Sequence, residues 1–472
     1  MLQIITYEIY GLHDVFNYKL STQGNFNDVV IFYGKNGSGK TTLLKLLFHM
    51  LSPAHDRGHR TAISKIPFRR IIIELSDGTK ILASRKEALS FPIEYRINRP
   101  NGTNARWDYV PVNHREKLLS DQYLKDIVLA QTISAKYSTR DLRNFYMHRD
   151  ALEKTSPDSE KEFLIALKKL NINTYLITAD RRIISDTLEK ANELESAKRQ
   201  GENPDLIAVA RAHYLEAALN FATRRIRSQI INASNVISKN SNEIYSDIVT
   251  RLANNDLEST SLANEELTKL IKELRKLRIL NRSYAAYGLV SKLDVSTLIG
   301  VLRSTTGTNQ AAVKMVMEPY ITSLQASLNV LAPIYTSIET FIKSLNSFFS
   351  FKRISFKAGD GFEITNDWGS TLGMNQLSSG EQQLLLIFCY ALTASEKNSV
   401  LIIDEPEISL NIEWQRNLID SLKKLTGAAS NQLVFATHSI ELLAQHSENV
   451  RQLDPVTIQE NDPVYESPPS ND

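Results

Sequence analysis

Gly34-Lys35-Asn36-Gly37-Ser38-Gly39-Lys40-Thr41 fits the GxxxxGK[ST] pattern, and Thr42 carries it into a run of helix formers. The glycines let the backbone curl without Cβ clashes, so that successive N–H groups point at one anion. A helix N-terminus behind the loop adds partial positive charge. In such a loop Lys40 reaches the β- and γ-phosphates and Thr41 ligates Mg²⁺. The pattern therefore predicts a nucleoside triphosphate as substrate. Its surroundings agree: Val29-Val30-Ile31-Phe32-Tyr33 predicts a strand entering the loop, and Thr42–Leu47 a helix leaving it.

Three further pieces follow in order near the other end. Leu377-Ser378-Ser379-Gly380-Glu381-Gln382-Gln383 precedes an apolar run, Leu384–Phe388. Asp404-Glu405-Pro406-Glu407 closes the apolar run Val400–Ile403, and Thr437-His438-Ser439 closes Leu433–Ala436. Each piece has a plain reading alone. Ser378 with Glu381 makes a capping box, an acidic turn can simply be solvated, and a histidine after a strand is commonplace. All four pieces together, in this order, are very unlikely to arise by chance.

On these residues the chain resembles the ABC-type ATPase heads. LSSGE stands where that family has LSGGQ, with Ser379 in place of a glycine. Asp404 and Glu405 match the Walker B acid and catalytic glutamate, Ser409-Leu410-Asn411 the D-loop, and His438 the switch histidine. The resemblance implies that Asp404 holds Mg²⁺ through its water shell, and that Glu405 orients the attacking water. His438 would contact the γ-phosphate. It also implies that Ser378, Ser379, Gly380 and Glu381 act in trans, capping ATP bound to Lys40 of another copy in a homo-oligomer. LSSGEQQ, Asp-Glu-Pro-Glu-Ile-Ser-Leu and Thr-His-Ser are most similar to the cytosolic OLD-like and SMC-like members. The glutamine those heads carry after an early strand has one candidate, Gln131. The apolar strand 175–179 ends instead in Asp180-Arg181-Arg182.

Composition sets bounds. Of 472 residues, 23% are charged, yet the formal net charge is only +2, which disfavours a dedicated nucleic-acid binder. The single cysteine, Cys389, lies in an apolar run and can form no intrachain disulfide, which suits a reducing cytoplasm. No run of 18 apolar residues is present, so no membrane span is expected.

Ser76-Asp77-Gly78-Thr79 predicts a hairpin, Asn101-Gly102 a turn between two further β runs, and Gly359-Asp360-Gly361 another hairpin. Residues 115–170 read as helical and charged. Between about 185 and 350 strand signals stop. Leu267, Leu270, Leu274 and Leu277 recur at helical spacing, and Leu206, Val209, Tyr214, Ala217 and Phe221 make a looser stripe. The basic clusters Arg224, Arg225, Arg227 and Lys272, Arg275, Lys276, Arg278, Arg282 read as solvated helix faces. About 165 residues in two passes give an arm of at most roughly 120 Å, shortened by turns into something nearer a bundle.

The expected fold class is therefore α/β: an ABC-type P-loop head with an added β layer and a long helical, coiled-coil-like insertion. The expected divisions are 1–184 and 351–458 for the head, 185–350 for the insertion and 459–472 for a disordered tail. Only 34 residues follow His438, leaving no room there for a TOPRIM nuclease. This pattern resembles the ATPase component of two-gene anti-phage systems of the PARIS kind, with a TOPRIM partner, or the Septu kind, with an HNH partner. It implies a separate nuclease effector and a phage-derived trigger, protein or nucleic acid. A repair ATPase acting on DNA through the helical arm and a transporter subunit are the other readings. The helical insertion and the Thr-His-Ser switch disfavour the transporter.

Overall fold

Strands buried on both faces need continuous apolar sequence, and three segments supply it: β3 (Val29–Tyr33), then Ser399–Asp404 and Gln432–Thr437, the last two buried at every position. The computed structural model describes residues 2–21, 28–102, 104–111, 157–179, 183–185, 204–253, 264–304, 309–394, 398–427 and 431–453. Gln131, Asp180–Arg182, most of the helical stretch expected over 115–170 and the tail expected at 459–472 lie outside these residues. Packing divides the chain into two units, Met1–Gly201 with Ala394–Asp472, and Glu202–Thr393.

The first unit holds two six-stranded sheets. One is antiparallel, with β1 (Ile4–Leu12), β2 (Phe16–Ser21), β4 (Arg70–Leu75), β5 (Lys80–Ser84), β6 (Ile93–Asn98) and β7 (Ala105–Tyr109) in the order β2-β1-β4-β5-β6-β7. It is the expected β layer. Alternate residues Ile71, Ile73, Leu75, then Ile81, Ala83, then Ile93, Tyr95, Ile97 are buried, as a sheet with one covered face requires. The 76–79 turn forms as the sequence predicts: Asp77 accepts from the Thr79 N–H and hydroxyl, and Gly78 takes φ +81°.

The second sheet runs β14-β3-β13-β12-β8-β9, with β8 (Asn173–Ile177), β9 (Ile183–Ser185), β12 (Ser399–Asp404), β13 (Gln432–Thr437) and β14 (Val450–Gln452). All its pairings are parallel except β8 with β9. Helix α1 (Lys40–Leu51) follows β3; α2 (His59–Ser64) packs on α1, and α3 (Pro157–Lys168) on β6 and β7 of the antiparallel sheet. Leu43, Leu44, Leu46, Leu47, Phe48, Met50 and Leu51 of α1 are buried in one core cluster with Tyr7, Ile9, Ile71 and Ile81 of one sheet and Phe32, Leu176, Ile402 and Val434 of the other. The helix behind the glycine loop is thus clamped between two sheets. A polar clasp joins them: the Gln432 side chain accepts from Ile4 N at 2.8 Å and donates to Ile4 O at 3.0 Å.

Among the described residues the second unit opens with α4 (Pro204–Ala253), α5 (Asn264–Ala286), α6 (Ser296–Ser304) and α7 (Asn309–Phe348). The 50 residues of α4 span about 75 Å. Leu267, Leu270, Leu274 and Leu277 are buried, as their spacing predicts. On α4 the buried stripe is Leu215, Ala218, Leu219, Ala222 and Ile226; Ala217 faces solvent, so the stripe through Ala217 is displaced by about one residue. The side chains of Leu206, Val209 and Tyr214 lie outside the description. Arg227 is no free cation: it donates to Ala358 O and Gly359 O, pinning the turn between β10 (Lys352–Lys357) and β11 (Gly361–Asn366). Helix α8 (Ser379–Thr393), which opens with the signature residues, packs on α4 and α7 in this unit. The 202–393 unit therefore includes the hairpin and signature helix that the sequence reading grouped with the C-terminal part of the head.

Candidate functional site

Parallel strands end on the same edge of a sheet, and that edge gathers the chemistry. β3 leads into Gly34, β12 ends at Asp404, and β13, between them, ends at Thr437 in register with Tyr33. Gly37 and Gly39 adopt φ +85° and +79°, which side chains rarely tolerate. The Lys40 ammonium, 6% exposed as a residue, donates to Gly34 O at 2.8 Å and Lys35 O at 3.1 Å, lying across the loop it must serve. From β2, Tyr18 donates to Ser38 O at 2.7 Å; from β1, Tyr7 donates to Leu43 O at 2.9 Å. Lys35, Asn36 and Gly37 are exposed, while Thr41 and Thr42 are partly buried at the helix start.

Thr41 hydrogen-bonds the Asp404 carboxylate. Burial pushes Asp404 above the usual carboxylate range, and Glu405 and Glu407 add to this. The Thr41 hydroxyl and Lys45, one helical turn on, oppose it. Asp404 Oδ1 is buried with no hydrogen-bond partner among the described residues, and so is Ser38 Oγ. A buried carboxylate oxygen without a donor, beside a threonine hydroxyl at a phosphate loop, is a donor set that suits hard Mg²⁺.

Glu405 follows with φ +48°, held by its N–H to Ala436 O at 2.8 Å, and its side chain is partly exposed. A left-handed conformation costs a non-glycine residue on the order of 1–3 kcal/mol and needs such outside support. His438 is half exposed; its Nδ1 lies 3.9 Å from Glu405 Oε1 and 3.1 Å from Glu407 Oε1. Ser409 also takes a positive φ, +67°, and Asn411 caps the next helix, α9 (Ile412–Thr426), by accepting from Trp414 N at 2.8 Å. Glu407 belongs to the acidic motif but the motif alone gives it no role; its signal is a second acid two residues after Glu405, following a wholly buried strand.

In the second unit Ser378 and Ser379 are exposed at the start of α8, while Gly380 and Glu381 are buried. Glu381 Oε2 accepts from Ser378 N at 2.6 Å, and Glu381 N donates to Ser378 Oγ at 3.3 Å, the capping box read from sequence. Lys352 Nζ also bonds Glu381 Oε2, at 2.7 Å. The Glu381 carboxylate is committed inside its own unit, unlike the Ser378 hydroxyl, which retains a hydrogen to donate. Among the described residues no helix is long and apolar enough to cross a membrane. Cys389 is fully buried, and burial pushes its thiol up.

A family model described as "AAA domain, putative AbiEii toxin, Type IV TA system" matches residues 29–444. The molybdenum import ATP-binding protein ModC of Photorhabdus laumondii is 33% identical over 78 residues, 16% of this chain and 21% of that protein. The match spans about a fifth of that relative's length. Two solved structures align along most of the chain at low similarity. One is the Smc head domain with an extended coiled coil bound to the C-terminal domain of ScpA, derived from Pyrococcus furiosus. It has 13% identity and TM-score 0.35, covering 96% of this chain and 93% of that one. The other is the Smc head domain with a coiled coil and joint, derived from Pyrococcus yayanosii. It has 12% identity and TM-score 0.34, covering 96% and 95%.

Proposed function

The chain belongs to that AAA-domain family, and from this membership we propose that it is a Mg²⁺-dependent ATPase whose sites are completed between copies in a homo-oligomer. The observation that carries the reading is the single sheet edge bearing Lys40 and Thr41, Asp404 and Glu405, and His438. The N–H groups of residues 34–42 cradle the phosphates, and Lys40 moves from the loop carbonyls to phosphate oxygens. Mg²⁺, held by Thr41 and by Asp404 through water, would neutralise charge developing on the phosphates. Glu405 accepts a proton from water at its carboxylate and orients that water for in-line attack. His438 contacts the γ-phosphate. Ser378, with the N–H groups of Ser379 and Gly380, caps the same phosphate from a second copy. Hydrolysis therefore loosens an interface that ATP holds together.

We further propose that this cycle controls a separate nuclease effector, TOPRIM type favoured over HNH, released when a phage-derived trigger arrives. Two points support it. None of the residues given a role in ATP chemistry above lies in α4 to α7. The family description includes the words "putative AbiEii toxin, Type IV TA system", which suits a part in a controlled toxic response. DNA-stimulated hydrolysis without any partner would favour the repair reading instead. Native co-purification with mass spectrometry is the test. A nuclease recovered in stoichiometric amount supports the proposal, and purified chain that alone cleaves DNA or RNA refutes it.

A further inference from the structure

Glu407 lies in the turn after β12, three residues beyond Asp404, and is buried. Its Oε1 is met three times from the end of β13: by Thr437 Oγ1 at 2.6 Å, His438 N at 3.0 Å and His438 Nδ1 at 3.1 Å. Its Oε2 is buried with no hydrogen-bond partner among the described residues. Keeping a half-satisfied carboxylate out of water is costly. A fold that needed only to close this turn would do better with an apolar side chain.

With its proton on Nδ1, the ring can donate to the Glu407 carboxylate 3.1 Å away. Nε2 is then the ring atom left for outside contacts, on an imidazole that is half exposed. Glu405 is farther from Nδ1, at 3.9 Å, and makes no contact with the His438 backbone N–H that Glu407 also holds. The backbone around the ring is tied down as well. Ser439 N donates to Thr437 Oγ1 at 2.9 Å, Ser439 Oγ to Gln415 Oε1 at 2.6 Å, and Gln415 Nε2 to Leu410 O at 2.9 Å. One carboxylate thus holds the main chain of the histidine and lies beside its ring.

We propose that Glu407 is a positioning residue for ATP hydrolysis, its buried carboxylate fixing His438 so that Nε2 faces the γ-phosphate. The proposal rests on the ATPase reading above. It differs from a purely structural role in one respect: the loss on removing Glu407 must pass through His438.

The test uses the full chain. E407A removes the acceptor, whereas E407Q keeps an amide oxygen in its place. E407A should lower kcat by about 10–100-fold, the usual range for a residue that orients a functional histidine. KM for ATP should stay within about threefold, because bound ATP is held by other groups. E407Q should recover most of the loss. H438A should lose about as much as E407A, and the E407A/H438A double variant no more than H438A alone. Side-chain ¹⁵N–¹H spectra of ¹⁵N-histidine-labelled protein, with His438 assigned by its absence in H438A, should show Nδ1–H in the wild type and E407Q. That signal should disappear in E407A. Should E407A fail to fold, E407D, which withdraws the carboxylate by one methylene, carries the same cycle. Multiplying losses in the double variant, an unchanged His438 spectrum, or wild-type kcat in E407A would each overturn the proposal. If the wild type leaves ATP uncleaved, the ATPase reading fails, while the spectra still decide whether Glu407 sets the ring.

Discussion

Lys352 Nζ lies 2.7 Å from Glu381 Oε2, so the carboxylate that caps the signature helix is anchored on strand β10. Both side chains are largely buried, 22% and 8% exposed. Removing one member of such a pair leaves an uncompensated charge, whereas replacing both is often close to neutral. K352A should therefore lower Tm by several degrees, and the double variant K352M/E381Q should recover most of that in a thermal melt. Equal destabilisation by both would mean that the pair is not energetically coupled. ATP hydrolysis should fall with K352A, because Ser378 N–H loses its fixed acceptor.

Asp404 poses the opposite problem. Burial raises its folded-state value above that of the unfolded chain. A carboxyl of this kind binds its proton more tightly in the folded state, so stability falls as pH rises from the unfolded value through the folded one. Ionising Asp404 in the fold is thus a stability cost, which the Mg²⁺-holding role proposed above would explain. D404N should raise the metal-free Tm by a few degrees at pH 7.5, with the gain shrinking at pH 4. It should also lower Mg²⁺-dependent hydrolysis by about 10–100-fold. A lower Tm at both pH values would show that Asp404 stabilises the fold.

These two carboxylates mark what the sequence made legible. Lys40, Thr41, Asp404, Glu405 and His438 were readable because each closes a strand or opens a helix in a short motif whose spacing reflects local backbone geometry. The antiparallel layer was readable from turn residues such as Asp77 and Gly78. Long-range pairings were not. Nothing local to Lys352 announces Glu381, 29 residues away, nor does Gln432 announce Ile4, 428 residues away. The buried stripe of α4 was misplaced at Ala217 because small residues lie on several faces of that helix, and burial there follows the neighbouring helices rather than hydropathy.

If sites are shared between copies, defects in the two half-sites should complement. S378R should block hydrolysis while leaving ATP binding in its own subunit intact, since Ser378 serves a partner's nucleotide. K40A should lose binding, because it deletes a charge-assisted phosphate contact. E405Q should bind ATP and fail to hydrolyse it. Mixed S378R and K40A proteins should regain a fraction of wild-type turnover once subunits exchange, as followed by phosphate release. Absence of any recovery under demonstrated exchange would count against shared sites.

The helical unit offers the last test, and its packing dictates how to make the cut. Excising 200–340 would strip α8 of neighbours, because α4 and α7 both pack on the helix that carries Ser378. Leu215, Ala218, Leu219, Ala222 and Ile226 bury the near half of α4, and Ile338, Phe341, Ile342 and Leu345 the last turns of α7. Removing residues 235–325 and joining the ends by a short Gly/Ser linker keeps both sets. The shortened protein should retain ATP affinity within about threefold, since no phosphate contact is touched, and should still hydrolyse ATP. It should no longer retain its effector in co-purification, nor protect cells against phage. If it still protected them, the recognition surface would move to the antiparallel layer of β4 to β7, none of whose residues has a role in handling ATP.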